Sequence, residues 1–83
     1  MLPLDECLRR LGKHKITCVG KQLMPEGQMV VLARIAEAPM FPYAGATHPF
    51  FLDSDAMDAP VPVEVAASIQ RRFKLPEDVF SSQ

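Results

Sequence analysis

Four side chains in this 83-residue chain have metal-binding chemistry: Cys7, His14, Cys18 and His48. Zinc takes four such donors in a tetrahedron, and structural sites draw them from close pairs. No CxxC knuckle is present, and the spacing fits no other close pair. Cys7 falls among leucines at helical spacing, where a free cysteine behaves as a small core hydrophobe. His14 and Cys18, if carried on one strand, would share a face about 13 Å apart. That is beyond the reach of a nucleophile and its base. The run Asp53-Ser54-Asp55-Ala56-Met57-Asp58, with Glu64 beyond, invites a calcium test. Asp53, Asp55 and Glu64 fall at positions 1, 3 and 12 of an EF-hand loop. Met57 stands where the third oxygen ligand belongs, Asp58 replaces the required glycine, and Pro60 and Pro62 stiffen the loop. Turn and capping roles suit these aspartates better.

Nucleophilic chemistry fares no better. Ser54 or Ser68 with His48 and an aspartate would supply the residue types of a triad, but there is no GxSxG elbow. The four glycines, at positions 12, 20, 27 and 45, form no phosphate-cradling loop. The expectation is a chain that is not an enzyme and holds no metal or cofactor. A small metal-dependent or hydrolytic enzyme ranks last among the functions considered.

Composition bounds the rest. A chain this short makes one domain, and a domain this small buries only about 60–65% of its unfolded surface. Yet 48% of its residues are hydrophobic, the top of the globular range. Some apolar surface is therefore expected outside the core, as at a partner-binding face. The formal charge of -1 argues against disorder and against a general nucleic-acid binder. The charge is uneven: residues 1–34 carry +3 and residues 35–83 carry -4. Two cysteines are too few for a secreted disulfide scaffold. The start has no positive region followed by an apolar run, and no 18-residue apolar stretch exists. The expected location is cytoplasmic.

The elements follow from periodicity. A helix is expected over Pro3–Leu11, with Leu4, Leu8, Leu11 and Cys7 on one face. Asp5 and Glu6 in its first turn and Arg9 and Arg10 in its last suit the helix dipole, and Gly12 is expected to close it in the left-handed conformation. A hairpin follows. Its first strand runs from Lys15 to Met24 with a bulge at Gly20. Pro25-Glu26-Gly27 makes the turn, and Met29–Ala36 forms an apolar central strand. A helix from Pro25 to Ala38 competes for the same residues, with Val30, Val31 and Ile35 favouring the strand. A second helix is expected over Pro62–Phe73, burying Val65, Ile69 and Phe73. A last short helical turn is expected from Pro76 to Phe80.

Residues 39–62 hold five of the eight prolines and four of the six aromatics. The prolines exclude a regular helix, and Phe50-Phe51-Leu52 is a candidate short edge strand. A long ordered loop in so small a domain is more often functional than not. The plain alternative is that Phe41, Tyr43, Phe50 and Phe51 fold back as a lid on a thin core.

The expected fold is α+β: a small α-β-β-α domain in which an antiparallel β-hairpin, with a possible short third strand, packs against two helices. Residues 1–38 supply the first helix and hairpin, 39–61 the Pro/aromatic loop, and 62–83 the C-terminal helix and turn. The expected function is protein binding, by occluding or bridging a partner. By analogy of size alone, small phage or plasmid accessory and inhibitor proteins have this look. The partner would be another protein or a second copy of the chain. The expected anchors are Phe41, Tyr43, His48, Phe50 and Phe51. Arg9, Arg10, Lys13 and Lys15 would steer the encounter. The rival reading is a small nucleic-acid-binding regulator that uses the same basic group, with His14 and Lys21. Its want of interleaved aromatics counts against it.

Overall fold

The computed structural model of the chain describes residues 1–35, 47–54 and 56–81. In chain order the elements are α1 (Leu4–Gly12), β1 (Ile16–Met24), β2 (Gly27–Arg34), β3 (Thr47–Leu52) and α2 (Val63–Arg72). The strands form one antiparallel sheet in the order β1-β2-β3. This is the expected α+β domain. The third strand is real and longer than Phe50-Phe51-Leu52, and residues 27–34 are strand, not helix.

Register explains which face is buried. Val30 pairs with Phe50, Leu32 with His48 and Ile16 with Arg34. Strand side chains alternate, so Ile16, Val30, Leu32, Phe50 and Leu52 project from one face into the core. α1 supplies Leu4, Cys7 and Leu11 to that core, and α2 supplies Ile69, with Phe73 at its C-cap. α1 packs beside β1, and α2 beside β3. Both helices therefore cover one face of the sheet. No charged or polar residue is buried among the described residues.

The hairpin turns at Pro25-Glu26, and Gly27 follows at φ 134°. Only glycine adopts that backbone readily. In β1 the register slips between Cys18 and Gly20, leaving Val19 as the extra residue of a bulge. The Cys18 thiol donates across it to the Gly20 carbonyl at 3.7 Å. The opposite edge, β3, carries Pro49, which has no N–H for a ladder.

The helix ends depart from expectation. Gly12 lies within α1, and the left-handed residue is Lys15, at φ 61°. Three successive tight turns carry the chain there: Lys13 N–H donates to Arg10 O, His14 N–H to Leu11 O and Lys15 N–H to Gly12 O. Ile35 N–H then donates to the Lys15 carbonyl at 2.9 Å, so sheet pairing fixes the reversal. At the other end of α1 the N-cap residue, Pro3, has no side-chain bond to offer, and Glu6 N–H donates to Asp5 Oδ1 at 2.7 Å. The first amides of α1 are met instead by distant backbone: Leu4 N–H donates to Ala59 O at 2.8 Å and Asp5 N–H to Met57 O at 2.9 Å.

α2 ends in a Schellman motif. Lys74, at φ 55°, donates its N–H to Arg71 O, and Leu75 N–H reaches back to Gln70 O at 2.9 Å. Leu75 is buried, as the hydrophobic partner of that motif should be. Residues 77–80 then form turns, where a last short helical turn is expected, with Val79 N–H donating to Pro76 O and Ser81 N–H to Asp78 O.

Candidate interaction surface

The strip Ala59-Pro60-Val61-Pro62 links the sheet to α2 and leads into Val63, the first residue of that helix. It is extended because two prolines exclude helix and bias their predecessors to β geometry. Pro60 forms an isolated antiparallel bridge with Pro3, and Val61 N–H donates to Leu2 O at 2.9 Å. The strip separates two shallow grooves. One, of about 320 Å³, is lined by Phe51, Asp53, Asp58, Pro60 and Pro62 among others. The second, of about 400 Å³, is lined by Leu2, Cys7, Val61, Val63, Ala66 and Phe80, with Glu77 at its edge. Alternate side chains of one extended segment thus serve opposite sides.

Apolar side chains stand exposed around this strip. Phe51 is 43% exposed, Met57 52% and Val63 67%, and Met1 lies at the larger groove. Leu23, also exposed, stands apart next to the hairpin turn.

The sequence-based anchors divide. Phe50 belongs to the core at 6% exposure and presents no ring to a partner, while its neighbour Phe51 faces outward. Adjacent strand residues take opposite faces, so the two rings could not both serve. His48 is half-buried. Its ring stacks on Phe50 at 6.5 Å and meets Phe73 edge-on at 6.4 Å. Phe41 and Tyr43 lie outside the described residues.

The structure does bring Ser68 and His48 together: Oγ and Nε2 are 3.4 Å apart. The charged neighbour of this imidazole is Arg72, where a triad would have an acid. Burial, and then Arg72, hold His48 below its ordinary pKa. The pair acts as a polar patch between α2 and β3. Arg72 itself donates to the Thr47 carbonyl at 3.1 Å, and Arg34 donates to the Phe73 carbonyl.

The basic group is partly committed. Glu6 accepts from Arg9 and, at 2.7 Å, from Arg10 Nε. Those hydrogen bonds, from Arg9 first and then Arg10, hold its carboxyl down to about 2. Arg10 also donates through Nη1 to the carbonyls of Val79, at 3.2 Å, and Ser81. Lys13 and His14 border the shallow hollow beside them. Lys15 serves the backbone reversal described above. Arg10 thus ties α1 to the C-terminal segment, and the single Glu6 carboxylate pairs with two of the four cations, Arg9 and Arg10.

Among the described residues no cluster of His, Cys, Asp or Glu could hold a metal ion. Asp55, one of the three calcium candidates, lies outside those residues. Burial pushes the Cys7 thiol up to about 11. No described helix is long and apolar enough to cross a membrane.

The signal for the strip was available in the alternation of proline and valine over residues 60–63, but its partner, the Leu2-Pro3 segment, is far away in sequence. No family model, curated protein or solved structure matches the chain.

Proposed function

We propose that this chain is a small protein-binding module whose contact surface runs from Phe51 across the Pro60–Val63 strip to the groove beside α1. What supports the reading is the exposure of Phe51, Val63 and Met1, which line two grooves on either side of one strip. Single exposed apolar residues are ordinary, whereas several around a common concavity resemble a docking surface. Prolines stiffen the strip, so little conformational entropy is lost when a partner seats on it. The partner is another protein or a second copy of this chain, and the effect is occlusion or bridging, as for an accessory or inhibitory protein.

The test pairs two measurements. Sedimentation equilibrium over a concentration series detects self-association. Affinity capture from native host lysate detects another protein. Both are run on the wild type, Phe51→Ser, Val63→Ser and the distant control Leu23→Ser. Specific association that Phe51→Ser and Val63→Ser weaken and Leu23→Ser leaves intact supports the reading. Association equal in all four proteins, or a monomer that captures nothing, overturns it.

A further inference from the structure

The C-terminal residues 76–81 cross from α2 to α1 without helix or strand of their own. At the α2 end the crossing is pinned at Leu75. Its N–H donates to Gln70 O, and its carbonyl accepts from Gln70 Nε2 at 2.6 Å. At the α1 end it is held by the Arg10 guanidinium, which donates to the carbonyls of Val79 and Ser81. Between these points Pro76, Glu77 and Asp78 are exposed. Its backbone makes two tight turns, Val79 N–H to Pro76 O and Ser81 N–H to Asp78 O. Val79 and Phe80 are only partly buried against the core.

What lies beneath is specific. Phe80, Ser81 and Glu77 form one wall of the larger groove, and Cys7 forms part of its lining. Cys7 is only 3% exposed. Cys7 and Arg10 are three residues apart on α1, hence on neighbouring positions of one face. The residue that fastens the crossing therefore sits one helical turn from a thiol that lines the same groove as Phe80 and Ser81.

We propose that residues 76–81 are a strap that swings away from α1 as a unit, with Arg10 as its clasp and the backbone just after the Leu75 pin as its hinge. Opening widens the groove and exposes Cys7 while the sheet stays intact. Segments held by few apolar contacts and few backbone bonds open locally, well before global unfolding. A guanidinium that serves two carbonyls and one carboxylate is a charge-assisted fastening that no other residue type reproduces.

The strap is independent of the proposed partner-binding role, because its test involves no partner. Native-state thiol labelling is followed in a Cys18→Ser background, so that Cys7 alone reports. Urea denaturation gives the global stability of each protein in parallel. Arg10→Met should raise the Cys7 labelling rate about tenfold, the effect of losing a charge-assisted anchor. That rate should depend weakly on urea, because local opening exposes little surface. Phe80→Ala, which loosens the strap from its apolar side with Arg10 intact, should act in the same direction. Glu6→Gln, which spares the bonds from Arg10 to the strap, should change the rate by less than about twofold. An unchanged rate in both Arg10→Met and Phe80→Ala overturns the strap. So does a rate that rises with the same urea dependence as global unfolding.

Discussion

A β-carbon built on Gly27 would stand 2.8 Å from the carbonyl oxygen of Leu52. The obstructing atom is main chain of β3, so no side-chain rotation relieves it. The backbone at Gly27, φ 134°, adds its own strain for any other residue. Gly27→Ala should cost about 1–3 kcal/mol. Urea denaturation would show a lower midpoint with an unchanged slope. A midpoint equal to wild type would mean that the hairpin closes differently.

Lys74 occupies a left-handed position that glycine fills at lower cost. Its side chain is exposed, so removing it costs little packing. Lys74→Gly should raise stability by about 0.5–1 kcal/mol, the reverse of the usual penalty for introducing glycine. Thermal unfolding by circular dichroism would register this as a higher Tm. Destabilisation would show that the Schellman geometry at Lys74-Leu75 is wrongly assigned.

His48 sets a pH dependence. Its folded pKa lies below the ordinary 6.5 because of burial and then Arg72. Between the lowered value and 6.5 the unfolded chain binds the proton more readily than the folded one. Stability from this group is therefore complete above pH 6.5 and declines as pH falls below it. His48→Gln should flatten that part of the stability profile. A profile equally steep in the variant would assign the slope to another group.

Glu6 acts at lower pH and in a separate window. Its folded pKa, about 2, lies below the ordinary 4.5 because Arg9 and Arg10 hydrogen-bond the carboxylate. The contribution is present above 4.5 and is lost as pH falls from there through about 2. Carbon-detected NMR titration of the Glu6 carboxyl should give a midpoint well below that of a free glutamate. A midpoint near 4.5 would show that the pairing does not persist in solution.

Much of the framework was legible because local chemistry and global packing agree. The Leu4, Cys7 and Leu11 stripe, the Gly20 bulge and the Pro25-Glu26-Gly27 turn each state their structure in a few adjacent residues. The left-handed positions were not legible. Lysine carries no preference for that region, and Lys15 and Lys74 adopt it because a strand and a buried Leu75 pull the chain round. The split between Phe50 and Phe51 could have been inferred from strand alternation. Which of the two turns inward depended on pairing with Val30, a relation no single segment contains. The placement of the Pro60–Pro62 strip was hidden for a similar reason: it is fixed only once Pro3 meets Pro60.

The two rims of the sheet are unlike each other, and neither continues easily. A second molecule laid along β3 would meet an imino nitrogen at Pro49 with nothing to donate. One laid along β1 would meet a ladder thrown out of step at Val19. Natural sheets use such interruptions to prevent unlimited lateral growth. Among the described residues, each rim thus carries a feature that hinders the addition of a further strand.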